Sequence, residues 1–293
     1  VEPGIGQVVL TLGDGESMPL KRDTNRLIFG GTMLQVRNER GTLVYSRIKS
    51  KEASEKIVYN TLTVPVRERF QLVLADGTKV FLNSGSEMRY PERFGKARRE
   101  VFLKGEAWFE VAKDSAREFW VHAGAMDVKV LGTSFNVKAY ERLETVATTL
   151  VEGSVEVACA GKSFQIVPGE QFVYDKNNRV MDVRMVDTES YVSWKDGYYK
   201  FRQTTLEEIM ETLSVWYGLN VFYVNESAKQ VEFTGKVKRY EDARMLLDKF
   251  EQTGDVVFDI KGNNVFITIK QKKPFAREWN SFLVKARGMV WQS

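Results

Sequence analysis

The stretch that decides the fold is FQLVLADGTKVFLNSGS, residues 70–86, in which two apolar runs flank Asp76 and Gly77. An Asp-Gly pair between apolar runs predicts a tight β-hairpin, because both residues readily adopt positive φ. Apolar residues occupy both faces of this hairpin, which is typical of strands that are covered on both sides. We therefore expect residues 70–86 to lie inside a larger β structure.

A two-residue loop at the Asp-Gly pair would also fix the register of the hairpin. In that register Val73 faces Val80, and Leu72 faces Phe81. A register that differs by one residue would exchange these partners, so this is a strict test of the predicted loop length.

The same unit occurs earlier in the chain, in VVLTLGDGESMPL, residues 8–20. In both segments an Asp-Gly pair follows a leucine by two positions, and a second leucine closes the unit. The chain is thus predicted to repeat and vary one strand–turn–strand unit. The matching residues are Leu12, Asp14, Gly15 and Leu20 in the first copy and Leu74, Asp76, Gly77 and Leu82 in the second.

The composition is that of a globular protein of about two domains, with 293 residues, 43% of them apolar and 12% aromatic. The formal charge of +4 comes from 43 basic and 39 acidic residues that are interspersed, so we expect no nucleic-acid partner. Cys159 is the only cysteine, which excludes disulfides and cysteine-based metal sites. No apolar run approaches the roughly 18–20 residues that span a bilayer, and Val1 begins no signal-peptide pattern. We therefore expect a soluble piece of a longer protein.

Residues 1–185 are predicted to form strands almost throughout, because short β-rich runs alternate with glycines and other turn residues. This pattern predicts an all-β jelly roll, sandwich or solenoid. The charged segment 49–56 is predicted to be a loop or a short helix. The predicted strands outside the two hairpins cover residues 33–36, 43–45, 101–103, 107–111, 119–121, 128–131, 135–139, 145–150, 155–157, 164–167, 171–174 and 180–185.

After residue 191 the pattern predicts a small α+β domain with the order βαββαββ and two helices on one side of a sheet. Thr205 and Glu208 have capping-box spacing, apolar residues then recur at helical period, and Gly218 stands where the helix ends. The predicted second helix covers residues 241–253. The predicted strands cover residues 198–201, 221–224, 231–237, 256–260 and 265–269.

These patterns divide the chain into an all-β domain at residues 1–187, an α+β domain at residues 198–270 and a tail at residues 271–293. In the tail, Phe275, Trp279 and other apolar residues have the spacing of one helix face. A helix packed on its own domain, a partner-binding segment and a poorly ordered end are the three interpretations of this tail.

Several blocks of the sequence resemble, in order, the successive blocks of the FecR-type anti-sigma regulators. The C-terminal part resembles the domain that follows in many of them, which is similar to the secretin/TonB short N-terminal domain. Together the resemblances cover about residues 8–270, and the tail after Lys273 has no counterpart. The blocks are FQLVLADGTKVFLNSGSEMRYP, VFLKGEAWFEVAKD, MDVKVLGTSFNVKAY, TTLVEGSVEV and VPGEQFVY, followed by WKDGYYKFRQTTLEEIMETLSVWYGLNVFY and FTGKV.

The resemblance implies that the chain is the periplasmic region of a single-pass inner-membrane anti-sigma factor, whose membrane helix lies outside this chain. Such a region senses the state of an outer-membrane TonB-dependent transducer through the transducer's N-terminal signalling domain. The signal then reaches an extracytoplasmic-function sigma factor, commonly through regulated proteolysis, by way of a cytoplasmic segment absent from this chain. The implied fold is an all-β, jelly-roll-like domain followed by a small α+β domain. No cofactor, metal ion or small-molecule substrate is expected.

The residues themselves give little support to an enzyme. His122 is the only histidine, so a Ser–His–Asp triad would depend on it, and a jelly-roll metal site needs several converging ligands. Glu106 and Glu110 lie four residues apart on one strand, at about 13 Å. Paired carboxylates in glycoside hydrolysis are roughly 5–9.5 Å apart, so this pair is too distant.

The basic residues between the predicted strands at 80–82 and 101–103 have two interpretations. Most such turns are solvated, and the alternative is contact with an acidic partner or a membrane surface. We expect the solvated turn. The residues are Arg89, Arg93, Lys96, Arg98 and Arg99, which flank Pro91.

A carbohydrate-binding β-sandwich module is the alternative function. Aromatic residues on such a module would stack on sugar rings, whereas aromatic residues at alternating or helical period usually belong to a core. The aromatic residues concerned are Trp108, Phe109, Trp120, Tyr198, Tyr199, Trp216 and Tyr217.

The expected partner-binding site is a sheet edge in the α+β domain. An edge strand presents unpaired N–H and C=O groups, to which a strand of the transducer can add. The sequence does not give the strand order, so two segments are candidates. Their residues are Val221, Phe222, Tyr223, Val224, Val231 and Phe233.

Overall fold

The structure, a computed structural model, describes residues 6–21, 25–30, 34–39, 41–47, 57–239 and 242–270. The predictions for residues 49–56 and for the tail at residues 271–293 lie outside these described residues. Mainly β structure followed by a small α+β region confirms the predicted fold class.

The β-part, residues 6–186, is built of eighteen strands among its described residues. They are β1 Val8–Thr11, β2 Ser17–Leu20, β3 Asn25–Gly30, β4 Leu34–Glu39, β5 Thr42–Arg47, β6 Tyr59–Thr63, β7 Phe70–Val73, β8 Lys79–Leu82, β9 Glu87–Pro91, β10 Arg99–Glu110, β11 Phe119–Ala123, β12 Met126–Val130, β13 Ser134–Ala139, β14 Thr145–Glu152, β15 Val155–Cys159, β16 Lys162–Ile166, β17 Glu170–Asp175 and β18 Val180–Met185.

These strands form two curled sheets that enclose one apolar core. The first sheet has the order β2-β1-β6-β9-β10-β11-β12-β15-β16. The second has the order β3-β4-β5-β7-β8-β10-β13-β14-β17-β18. From β11 onward, consecutive hairpins alternate between the two sheets, so each adds one layer to the core. This arrangement is the solenoid-like variant of the predicted jelly roll.

Strand β10 belongs to both sheets, whereas the sequence predicts two strands separated at Gly105. Its first half pairs with β9 and β11 in the first sheet, and its second half pairs with β8 and β13 in the second. Gly105 has φ +104, and a Cβ there would lie 2.4 Å from Ser86 Oγ. Glycine is therefore required at the crossing, where it bends the strand instead of ending it.

The hairpin of β7 and β8 turns at Asp76 and Gly77 as predicted, but its loop has three residues. The backbone N–H of Leu74 donates to the carbonyl of Thr78 at 2.8 Å, and Gly77 takes φ +88. This is a type I turn closed by a left-handed glycine, the usual three-residue hairpin loop.

The longer loop shifts the register by one residue, so the predicted pairs are wrong. Leu72 faces Val80, not Phe81, and Val73 faces Lys79. The shift places the leucines of both strands on the core face and leaves Phe81 half-buried on the opposite face. The opposite face packs against the C-terminal part of the chain.

The first copy of the unit, β1 and β2, has the same turn. The Leu12 N–H donates to the carbonyl of Glu16 at 2.8 Å, and Gly15 takes φ +93. In both copies the aspartate Oδ1 accepts the backbone N–H two residues later at 3.0 Å. The predicted repeat is confirmed at the level of individual hydrogen bonds.

The two copies differ in what the aspartate contacts beyond its own turn. Asp76 Oδ2 accepts a hydrogen bond from Arg99 Nη1 at 2.9 Å, and both side chains are almost fully buried. Arg99 also donates to the backbone carbonyls of Ala112, Arg117 and Leu131. The prediction of a solvated basic turn is therefore wrong for Arg99, which locks the hairpin turn to the start of β10.

The α+β part, residues 198–270, has the predicted order βαββαββ. A connector with the short helix α1 Thr188–Val192 and one turn of 3-10 helix at Ser193–Asp196 precedes it. The elements are β19 Tyr198–Thr205, α2 Leu206–Tyr217, β20 Asn220–Tyr223, a 3-10 helix Glu226–Gln230, β21 Glu232–Lys238, α3 Ala243–Glu251, β22 Val256–Lys261 and β23 Asn264–Ile269.

The strands of this part form two sheets, not the one sheet predicted. Strand β19 pairs with β21, whereas β20 pairs in parallel with β23, which pairs with β22. Both sheets share one apolar core with α2 and α3, to which Trp108 of β10 also contributes. The hydrophobic periodicity of a strand predicts a buried face but not its neighbour, so the split was not visible in the sequence.

Replacing Asp76 by Asn tests the buried ion pair. We expect the free energy of unfolding to fall by about 3 kcal/mol or more, because Arg99 would keep its charge in the core without a counter-ion. Chemical denaturation of wild type and variant measures this change.

Asp14→Asn is the matched control, because Asp14 accepts the same turn hydrogen bond but is exposed. We expect it to cost less than about 1 kcal/mol. Equal losses in the two variants would show that the turn, and not the ion pair, accounts for the effect.

Candidate functional site

Strand β20 is an open edge of the three-stranded sheet. It pairs only with β23 among the described strands, and the N–H groups of Asn220 and Val224 donate to carbonyls of Asn263 and Ile267. In a parallel ladder every second residue bonds to the same neighbour. The N–H and C=O groups of Val221 and Tyr223 therefore point away from the sheet.

The outward face of the same sheet is partly apolar. Phe222 on β20 is 47% exposed, and its ring stacks on that of Phe266 at 5.1 Å between centroids. Val224 is 62% exposed at the end of this edge, and Val257 on the far strand β22 is 42% exposed. Main-chain groups and exposed apolar side chains thus coincide along β20.

Helix α2 positions β20, and the residues that cap α2 explain where the helix begins and ends. Thr205 Oγ1 accepts the N–H of Glu208 at 3.3 Å, as the predicted N-cap requires. The Glu208 carboxylate lies 3.8 Å from Arg184 of β18. Gly218 ends the helix with φ +68, which allows the chain to turn directly into β20.

The remaining predicted site residues lie elsewhere. Val231 precedes β21, and its carbonyl accepts the N–H of Leu206 at 2.7 Å. Phe233 is only 8% exposed and packs edge-on against Phe250. The structure therefore groups residues 221–224 on one edge and places Phe233 in the core.

The C-terminus of α2 is capped by the β-part. The last carbonyls of a helix have no partner within it. The carbonyl of Trp216 accepts the N–H of Arg67 at 3.1 Å, and Ser84 Oγ lies 3.2 Å from the same carbonyl and 3.3 Å from that of Val215. The loop after β8 therefore fixes the direction of α2.

A buried carboxylate lies beside this contact. Glu106 of β10 accepts hydrogen bonds from Asn83 Nδ2 at 2.8 Å and Asn136 Nδ2 at 2.9 Å. Asn136 Oδ1 in turn accepts the indole N–H of Trp194 at 3.3 Å, which links the network to the connector. Burial raises the pKa of Glu106 above its usual value, although Lys138 and the two amides oppose the shift.

A polar cleft of about 390 Å³ opens between the outer face of the second sheet and α2. Two ion pairs connect its walls, Lys138 with Glu211 at 3.6 Å and Arg184 with Glu208 at 3.8 Å. Both pairs are partly exposed, so each contributes at most about 1 kcal/mol. They add to the hydrogen bonds at the end of α2 in fixing the α+β part to the sheet.

His122 lies on the outer face of the first sheet, in a row of stacked rings. Its ring is 4.9 Å from that of Phe102 and 6.2 Å from that of Trp120. Its Nδ1 is 2.7 Å from Asp127, and its Nε2 is 3.4 Å from Glu100. These contacts occupy both ring nitrogens and are those of a structural histidine.

The carbohydrate-binding alternative gains no platform from the aromatic residues named for it. Trp108, Phe109, Tyr199, Trp216 and Tyr217 are buried. The ring of Trp120 lies nearly parallel to that of His122 and 5.6 Å from Lys129 Nζ, and Lys236 Nζ lies 3.6 Å from the centroid of the Tyr198 ring. Among the described residues no group of three or more His, Cys, Asp or Glu side chains is placed to hold a metal ion.

Two family models match the chain and together cover more than half of it. The model described as FecR protein matches residues 60–156, and the model described as FecR, C-terminal, matches residues 198–267. No curated protein sequence matches the chain. Within the described part of the chain no helix is long and apolar enough to cross a membrane.

Two crystal structures of a protein provisionally described as an anti-sigma factor, from Parabacteroides distasonis ATCC 8503, are similar to this chain. The 1.65 Å structure is 28% identical, covers 71% of this chain and 98% of its own, and has a TM-score of 0.65. The 2.50 Å structure is 27% identical, with coverages of 72% and 99% and the same TM-score of 0.65.

The variant Glu106→Gln tests the buried network. Both asparagines donate to the carboxylate, so a glutamine amide would leave one of them without an acceptor. We expect a loss of about 1–3 kcal/mol in the free energy of unfolding at neutral pH. Glu110→Gln, at the partly exposed end of β10, is the control and should cost less than about 1 kcal/mol.

Wild type and the variant Glu106→Gln also give a pH test. Because the pKa of Glu106 is raised, the stability that its proton contributes is present at low pH and is lost as the pH rises through the raised pKa. The stability of wild type relative to Glu106→Gln should therefore increase as the pH falls from 8 towards 5. Denaturation curves at several pH values measure the free energy of unfolding of both proteins. A difference between the two free energies that does not vary with pH would contradict this account.

Proposed function

This chain belongs to the FecR family, and from that premise we propose that it is the periplasmic sensor region of a transmembrane anti-sigma factor. It relays the state of an outer-membrane TonB-dependent transducer to an extracytoplasmic-function sigma factor, and it does so by protein–protein contact. The family is regulatory, and the similar solved structures carry an anti-sigma description. The sigma factor would be contacted through a cytoplasmic segment outside this chain.

The open edge of β20 is the observation that carries the proposal. A strand from the transducer's N-terminal signalling domain would bond to the outward N–H and C=O groups of Val221 and Tyr223. Phe222 and Val224 would supply apolar contacts next to that strand. Phe233 is buried, so the proposal places the partner strand on β20 and not on β21.

The division into domains at residues 1–187 and 198–270 is part of the same proposal. Each has its own apolar core. Trp108 of the first packs in the core of the second, and Val215 of α2 packs against Tyr140 and Leu143 of the first. The buried contacts of Ser84 and Glu106 hold the second domain on the first. Partner binding at β20 would thus act on a domain with a fixed orientation.

Phe222→Asp and Val224→Asp test the contact site. A charge next to the added strand would be buried without a partner, so we expect each variant to weaken binding of the transducer's signalling domain by tenfold or more, or about 1.4 kcal/mol. Calorimetric titration of the whole chain with the signalling domain from the neighbouring transducer gene measures the affinity.

Val257→Asp is the matched control, because Val257 is similarly exposed on the same sheet but lies on the opposite edge strand. It should bind as wild type does. Binding that survives Phe222→Asp and Val224→Asp but fails with Val257→Asp would move the site to β22. Failure of wild type to bind would refute the transducer as partner.

A further inference from the structure

Strand β18 is the last strand of the second sheet and pairs only with β17 among the described strands. The N–H of Val186 donates to the carbonyl of Gly169, in register with the ladder. In an antiparallel ladder alternate residues bond to the same neighbour. Val180, Asp182 and Arg184 therefore bond to β17, and the residues between them direct their N–H and C=O groups outward.

The outward main-chain groups of β18 belong to Met181, Val183 and Met185. The side chains of Met181 and Val183 pack at the end of the core, and Met185 is 70% exposed. On the other face of the strand, Asp182 and Arg184 are exposed and have opposite charge. Asp182 forms no ion pair with any described residue. Edge strands of natural proteins usually carry features that prevent pairing, such as proline, a bulge or charged side chains. Strand β18 has neither proline nor lysine, and its two charged side chains, Asp182 and Arg184, have opposite signs.

Among the registers centred on residues 182–184, which pair most of β18, one matches the charges of a second copy of the same strand. Two identical strands related by a two-fold axis pair antiparallel. A residue whose N–H and C=O groups point outward can oppose only another such residue, and the residues between them then oppose each other in non-hydrogen-bonded pairs. If the axis passes through Asp182, the Asp182 residues of the two copies lie opposite each other. If it passes through Arg184, the two Arg184 residues lie opposite each other. Centring it on Val183 places Asp182 opposite Arg184 of the other copy twice, and Met181 opposite Met185.

From this complementarity we infer that β18 is a self-association surface, through which two copies of the chain join their second sheets into one continuous sheet. The pairing adds about six hydrogen bonds between the copies. The charged residues occupy a non-hydrogen-bonded pair, in which side chains approach most closely. The surface is distinct from the β20 edge, so the inference does not depend on the transducer contact.

Charge reversal within β18 tests the inference. In the variant Asp182→Arg, arginines of the two copies would lie opposite each other, and in Arg184→Asp, aspartates would. Like charges directly opposite each other repel, so each variant should be monomeric. Mixing the two variants restores both opposite-charge pairs, so the mixture should form a heterodimer. The double variant D182R/R184D should dimerise like wild type. Sedimentation velocity between about 2 and 200 μM follows the dimer fraction of each sample.

Thermal melts of each variant check folding, because Arg184 also contacts Gln171 and Glu208. Asp259→Arg reverses the charge of an exposed side chain on β22. It is the matched control and should leave the dimer fraction unchanged. A wild-type chain that stays monomeric over the whole range overturns the inference. So does a dimer that persists in both single variants, or folded single variants that fail to combine on mixing.

Discussion

The structure depends on β10, one strand that serves two sheets. It passes from the first sheet to the second at Gly105, where the backbone lies so close to Ser86 that no side chain fits. Before the crossing, Arg99 neutralises Asp76 and ties the central hairpin turn to this strand. After it, Glu106 and Trp108 point away from the β-part core and support the α+β part. Both sheets and the second domain therefore take their positions from one continuous segment of backbone.

The consequence for function is a fixed second domain. Ser84 and Arg67 hold the last carbonyls of α2, and the Glu106 network holds the connector through Trp194. These contacts are buried, so removing one partner leaves a polar group without water or protein to bond. The α+β part is thus attached through the C-terminal end of α2 and through the connector. Its three-stranded sheet keeps an open edge at β20 among the described strands.

Local signals in the sequence predicted much of this fold. The Asp-Gly turns, their repetition, the caps of α2 and the order βαββαββ all follow from short-range chemistry and were confirmed. The predicted register of the central hairpin was wrong. A two-residue loop needs positive φ at both Asp76 and Gly77, but only Gly77 takes it, and the loop is one residue longer. The burial of Arg99 had a signal, since Arg99, Val101 and Leu103 alternate onto one face, but its counter-ion lies in another strand. The buried role of Glu106 and the split into two small sheets depend on long-range pairing, which no local pattern specifies.

The central claim is that this member of the family acts by offering an unpaired strand edge to a partner. Site-resolved hydrogen exchange of the amides of β20, with and without the transducer's signalling domain, tests it most directly. In the free chain the Val221 and Tyr223 amides should exchange fast, and the Phe222 amide, bonded within the sheet, should exchange slowly. On binding, the account predicts that exchange at Val221 and Tyr223 slows to the rate of Phe222. Unchanged fast exchange at both residues in the saturated complex would contradict it.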